Sequence, residues 1–462
     1  MIFRPQNLTL TEGYYLIPQH ATATAHACLN TDVIKEFWNG FTHHVSTLQI
    51  GKETDFVFSI GNAKRLPLDG YDYSISIERE GICLCAKDEK TLLSGFMTLL
   101  DRIQAVDLDG QLAAGAECCQ IKDKPLVGVR MVHFCIFHNT ELWELERFVR
   151  VCGALKYTHI ILEFWGMLQY DCLKELSWPG GFTKDQIRPI IQTARDLGLE
   201  VIPMFNHWGH ATGAGVTQGA HVVLDQNPAL QLYFSEDGWC WDIRKPRVRA
   251  LLRSIRRELI ELCGNGDYFH IGCDEAYNFA LTEESAAEIC DIINDVADEL
   301  RQEGRRTIVW GDMFLYRHKH YVNPRSYACH APSPEIEKAM LARLDKRLVV
   351  ADWQYEIEQA PIESAAVVKN AGFDCLLCSW DRGLPQMKAV LSTTKDLPLM
   401  GFMHTTWGSQ ATGYHFVLLA AVGGFGSIDH YKQSGAQVHT AALLRKVMPS
   451  KGSYEKAGWR RF

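Results

Sequence analysis

The sequence lacks any apolar run that could cross a membrane. No stretch of its 462 residues reaches the ~18 consecutive apolar positions a spanning helix needs. A secretion leader is not expected either, because Met1 to Leu10 is polar and has no apolar core. Basic residues are not in surplus. There are 47 Lys and Arg against 55 Asp and Glu, a net charge of −8, so neither nucleic acid nor an anionic membrane is an expected partner. Short repeats and low-complexity tracts are absent. With 47% hydrophobic and 22% charged residues, the composition is not that of a disordered, collagen-like or disulfide-dense chain.

Two residue types are plentiful: 15 Cys and 12 Trp. Fifteen is odd, so the cysteines cannot all pair within the chain. Many, including Cys83, Cys85, Cys135, Cys152 and Cys290, sit in apolar runs where a small hydrophobe suffices. This usage and the polar N-terminus point to a reducing, cytoplasmic location. Asn7-Leu8-Thr9 fits a glycosylation sequon but means little without a leader. Cys375-Leu376-Leu377-Cys378 has redox or zinc spacing. It has no second pair and lies in a predicted buried strand, so packing is the expected role.

The pattern changes near Lys122–Pro125. Before it, Tyr73, Ile75 and Ile77 alternate with polar residues as in a strand. A helix follows, with Leu92, Leu93, Phe96, Leu99, Leu100 and Ile103 on one face. Residues 1–122 therefore read as a small α+β domain. After Pro125, eight short apolar runs alternate with helical patterns: Leu126–Phe134, Thr158–Phe164, Glu200–Phe205, Tyr268–Gly272, Thr307–Trp310, Arg347–Trp353, Phe373–Cys378 and Leu399–Trp407. Such runs suit parallel strands buried on both faces. Thr183 and Gln186 form a capping box, and Gly198 can end the same helix. The expectation is an α/β chain: a (β/α)8 TIM barrel over residues 123–462, with a C-terminal helical tail, preceded by the α+β domain. A doubly wound open sheet is the rival, but the first strand lacks a complete Gly-rich phosphate fingerprint.

A barrel carries its active site at the strand C-termini. Those ends offer Asn206, His207, Trp208 and His210, then Asp274-Glu275, Trp310 and Asp312, Asp352-Trp353, Trp380-Asp381, and His404 with Trp407. Indoles beside carboxylates suit a sugar, since Trp covers the apolar face of a pyranose while acids and His bond its hydroxyls. Adjacent acids at the mouth of a buried strand are costly unless bonded or functional, and crowding would raise one pKa into the range of a general acid. An acidic helix N-terminus is the competing reading of the same pair. His207 and His210 could form half of a metal site, though a sugar-contacting loop is the stronger reading and no metal or other cofactor is expected.

His270-Ile271-Gly272-Cys273-Asp274-Glu275 resembles the His-x-Gly-x-Asp-Glu signature of family 20 glycoside hydrolases, the β-N-acetylhexosaminidases. Val201-Ile202-Pro203 through Gly209-His210-Ala211 is similar to that family's third-strand segment, and the first domain is similar to its N-terminal α+β domain. The resemblance covers about residues 50–410. It implies exo-acting, retaining hydrolysis of terminal β-linked GlcNAc or GalNAc, in which the substrate's acetamide oxygen attacks C1. Asp274 would orient the acetamide, Glu275 would serve as acid and base, and His210 would support Glu275. Arg130 would bind ring hydroxyls, and His270 would orient the acids. Trp310, Trp353 and Trp407, with Trp380 and Asp381 beside them, would wall the sugar. The partner implied is a small glycan or glycoconjugate, with a homodimer left open. Departures from the family pattern are Glu163 at the second strand end, Cys135 on the first strand, Trp208 before Gly209-His210, and Ser409 in place of an acid after Trp407. They leave two alternatives: a binding relative that has lost its chemistry, or a glycosidase for a different terminal sugar.

Overall fold

All eight apolar runs become barrel strands. In the computed structural model they are β9 (Val129–Cys135), β10 (His159–Glu163), β11 (Glu200–Met204), β12 (Tyr268–His270), β13 (Arg306–Trp310), β14 (Val349–Trp353), β15 (Asp374–Ser379) and β16 (Gly401–His404). Each pairs in parallel with its neighbour, and β16 closes on β9, making a complete (β/α)8 barrel. The structure describes residues 2–51, 56–60, 66–213, 221–407, 410–426, 428–429 and 431–447.

Side chains on a strand alternate in direction, so one parity faces the barrel axis. Met131, Ile161, Ile202, Ile308, Val349, Leu376 and Met403 fill that interior as a cluster separate from the outer core. The same parity, carried to the strand ends, selects which side chains reach the mouth. The outer helices obey their sequence signals. Thr183 and Gln186 cap α4 (Lys184–Asp196) reciprocally. The helix stops before Gly198, whose φ is +80°.

Before the barrel, β1 (Asn7–Leu16), β2 (His20–Ala25), β3 (Thr47–Ile50), β4 (Phe56–Ile60), β5 (Tyr73–Glu78), β6 (Gly81–Ala86), β7 (Gln104–Leu108) and β8 (Gln111–Asp123) form a mixed sheet. Its order is β1-β8-β5-β6-β4-β2-β3, with β7 on β8. Helices α1 (Asp32–Phe41) and α2 (Glu89–Arg102) accompany this sheet. Its contact with the barrel is anchored by Lys156. That ammonium lies 4.0 Å from the Phe3 ring and 3.9 Å from the Phe425 ring, and donates to Thr98 Oγ1 at 2.6 Å. Burial lowers its pKa to about 8. After β16, α11 (Gln410–Phe425) completes the ring of barrel helices, and α12 (Gln433–Val447) supplies the helical tail. Among the described residues no helix is long and apolar enough to cross a membrane.

Candidate active site

The loops after β11 and β12 meet backbone to backbone. A Cβ on Gly209 would stand 1.9 Å from the Asp274 carbonyl oxygen, and one on Gly272 would stand 1.7 Å from Asn206 Oδ1. Only glycine permits this approach, and it brings His210 onto the acid pair. Three non-glycine residues there, His210, Cys273 and Glu275, hold φ of +53°, +76° and +50°. Such backbone costs about 1–3 kcal/mol per residue and clusters where function over-determines geometry.

His210 Nε2 lies 2.8 Å from Glu275 Oε2 and 3.6 Å from Asp274 Oδ2. Burial opposes charge on His210, but Asp274 and the bond to Glu275 outweigh it and raise its pKa to about 9. Burial first, and then the neighbouring Glu275 and Glu163, push Asp274 up to about 7 despite His210. Glu275 moves the other way: burial would raise it, but bonds from His210 and Tyr277 hold it below its ordinary value. The two acids are thus pushed apart, a pattern typical of carboxylates with different roles.

Asp312 braces the pair. Its Oδ2 accepts the Glu275 backbone N–H at 2.9 Å, and its Oδ1 accepts the Trp353 indole N–H at 3.1 Å. Burial, then the charge of Asp274, pushes its pKa well up. The indoles converge through Tyr355, whose hydroxyl accepts bonds from Trp407 Nε1 and Thr405 Oγ1, both at 2.9 Å. The Tyr355 ring lies 5.2 Å from Trp353 and 5.4 Å from Trp380, while Trp310 is 6.1 Å from Trp407. Below them, Glu163 joins His133 Nε2 (3.0 Å) to Asn206 Nδ2 (2.7 Å). Among the described residues, five buried atoms here have no hydrogen-bond partner: His133 Nδ1, Asn206 Oδ1, His270 Nε2, Asp274 Oδ1 and Trp310 Nε1. Stranded donors and acceptors of this kind are expensive.

Residues 161–381 match the family model described as glycosyl hydrolase family 20, catalytic domain. The family 20 match thus falls on the barrel, from β10 to the turn after β15. A β-hexosaminidase of Porphyromonas gingivalis is 25% identical over 256 residues, 49% of this chain and 32% of that protein. A lacto-N-biosidase of Bifidobacterium bifidum is 20% identical over 66% of this chain and 28% of its own length. The chain thus spans about a third of the length of these curated relatives. By fold, an exo-β-N-acetylglucosaminidase of Vibrio harveyi superposes with a TM-score of 0.68 at 14% identity, covering 97% of this chain and 78% of that one. A β-N-acetylhexosaminidase of Bacteroides fragilis gives 0.67 at 15% identity, covering 98% and 95%.

Within the barrel, Asp274, Glu275, His210, His270, Trp310, Trp353, Trp380 and Trp407 come together at the mouth. His270 lies 4.5 Å from the Trp310 ring, tilted at 52°, and is fully buried. Arg130 does not join them. It is the second residue of β9, at the opposite end of the barrel, and its parity faces outward. Its guanidinium donates to the carbonyls of Lys156, Val127 and Gly128, so it is a structural cation between the domains. Asp381 also stays outside the cluster, exposed on the turn after β15. Asp352 turns outward to Ser364 and Gln354, and His404 to Ser379. His207 faces Arg256 while His210 faces Glu275, so the two imidazoles do not converge. Glu163 bonds His133 and Asn206 rather than His210. Cys375 and Cys378 are both buried, with Cys378 in the inner cluster and Cys375 in the outer one. Ser409 lies outside the described residues.

Sequence reasoning missed Tyr355, Tyr277, Trp239 and His133. Period-two counting from Trp353 and Met131 selects Tyr355 and His133, since both share the inward parity. Tyr277 and Trp239 lie on loops, and no periodic signal marks them.

Proposed function

We propose that this protein is an exo-acting, retaining β-N-acetylhexosaminidase that removes terminal β-linked GlcNAc or GalNAc. The carrying observation is the Asp274–Glu275 pair beside His210, under a wall of four indoles. The Asp274 carboxylate, with Oδ1 unbonded, accepts the acetamide N–H and turns the acetamide oxygen towards C1. That oxygen bonds to C1 as the C1–O glycosidic bond breaks. The proton shared by His210 and Glu275 passes from Glu275 to the departing oxygen. Positive charge on the resulting oxazolinium lies beside Asp274, whose charge stabilises it. Water then attacks C1 from the side the leaving group vacated. Glu275 takes the water's proton, the ring opens back to the acetamide, and the β configuration is kept.

A half-buried His210–Glu275 pair suits both halves of this cycle. As an ion pair it is the base. When substrate expels water, the lower dielectric favours the neutral pair, with the proton on Glu275. Asp312 fixes the Glu275 backbone and the Trp353 indole at once, so acid and sugar wall keep one register. Most of the cysteines are buried in the packed core, in keeping with the reducing location read from the sequence.

The test compares aryl β-N-acetylglucosaminide and -galactosaminide with the aryl β-glucoside, which has no acetamide. Hydrolysis of an acetamido substrate and at least ~100-fold slower hydrolysis of the glucoside are expected. Equal rates would remove the acetamide from the mechanism, and tight sugar binding without turnover would favour a binding relative.

A further inference from the structure

Glu275 has both carboxylate oxygens occupied. Oε2 faces His210, and Oε1 accepts the Tyr277 hydroxyl. A leaving-group oxygen needs one of them, and His210, only 21% exposed, holds its own within an ion pair. Tyr277 is different: it is 52% exposed at the rim. Its ring lies nearly parallel to Trp239, at 10° and 6.3 Å, and meets His330 edge-on at 5.2 Å. Trp239 is fixed in turn, because its indole N–H donates to the Glu275 carbonyl at 2.6 Å. The Tyr277 backbone N–H donates to that same carbonyl at 2.7 Å. The root of the ring is therefore tied to the acid while much of its surface is open to solvent.

We propose that Tyr277 forms the leaving-group subsite: a second pyranose stacks on its exposed ring, and the glycosidic oxygen displaces its hydroxyl from Glu275 Oε1. This rests on the reading of Glu275 as the general acid. An aromatic ring with a polar tip fits both tasks, the ring covering the sugar's C–H face and the released hydroxyl bonding its polar edge. Until substrate arrives, the Tyr277 bond favours the charged form of Glu275. The other groups facing that carboxylate are His210, Asp274, Asp312 and His330. Tyr277→Phe removes the hydroxyl alone and keeps the ring against His330.

The test measures kcat/KM for wild type, Tyr277→Ala and Tyr277→Phe. The substrates are a β-linked N-acetylglucosamine disaccharide and N-acetylglucosaminyl β-fluoride, whose leaving group has no ring. Tyr277→Ala is expected to lose roughly tenfold more on the disaccharide than on the fluoride, mainly through KM. Tyr277→Phe keeps the ring and should lose less than Ala on the disaccharide. Its alkaline limb should move to higher pH, because Glu275 holds its proton more tightly without the hydroxyl. Equal losses on both substrates in Tyr277→Ala, or an unmoved limb in Tyr277→Phe, overturn the inference while an active wild type leaves the hydrolase reading standing. A wild type that cleaves neither substrate overturns both.

Discussion

Gly209→Ala adds one methyl group at the point where the two catalytic loops touch. The new carbon would stand 1.9 Å from the Asp274 carbonyl oxygen, and 3.0 Å from both the Ala276 nitrogen and the Glu275 carbonyl carbon. All three neighbours are backbone, so no side chain can swing aside. The loops must part by about 1 Å to bring the closest contact to 3.0 Å, below which real Cβ contacts essentially never fall. His210 is the next residue, and its 2.8 Å contact with Glu275 would stretch beyond hydrogen-bond reach. A misplacement of this size costs about 100-fold in kcat/KM, roughly 2.7 kcal/mol of transition-state stabilisation. Forcing a methyl into a packed site costs a further ~1–3 kcal/mol of stability. The assay is kcat/KM on the aryl N-acetylglucosaminide, alongside a thermal melt. Activity within threefold of wild type at an unchanged Tm would refute the claim that this contact sets the catalytic geometry.

The pH profile of kcat/KM should be bell-shaped. Its acidic limb, near 7, is protonation of Asp274, and its alkaline limb, near 9, is loss of the proton shared by His210 and Glu275; a profile flat from pH 6 to 10 would contradict both assignments. Stability follows the same two groups with defined signs. His210, raised above its unfolded value, contributes fully below about pH 6.5 and loses its contribution as pH rises through about 9. Asp274 is also raised, so its charged form at pH 8 is a cost to the fold, and Asp274→Asn should melt on the order of 2 °C higher at that pH while turnover falls sharply. A lower Tm together with retained turnover would reverse that reading. Arg130→Lys should lose bonds to buried carbonyls, each worth about 1.5–3 kcal/mol, and lower Tm, yet leave the sugar KM of the folded protein unchanged. A raised KM at constant Tm would return Arg130 to the sugar site.

The barrel was legible because buried parallel strands are near-continuous apolar runs and several intervening helices carry a side-chain cap. Much of the site followed from the rule that barrel chemistry sits at strand ends. Where the reading failed, it ignored strand parity or strand end. Asp352 and His404 stand at the correct end but face outward, and Arg130 stands at the wrong end. Tyr355, two residues beyond Trp353, was within reach of the same counting. Contacts between loops were not. The meeting of Gly209 with Asp274, and of Tyr277 with Glu275, depends on how two or three separate segments cross, and no local pattern encodes that crossing.

The central claim is that Glu275 protonates the oxygen leaving a terminal β-linked N-acetylhexosamine. The direct measurement is kcat/KM for a disaccharide of that kind, with wild type and Glu275→Gln compared at pH 8. The account predicts wild-type cleavage and a loss of about 100- to 10,000-fold in the variant, the usual contribution of a positioned general acid. Equal rates in the two proteins would contradict it.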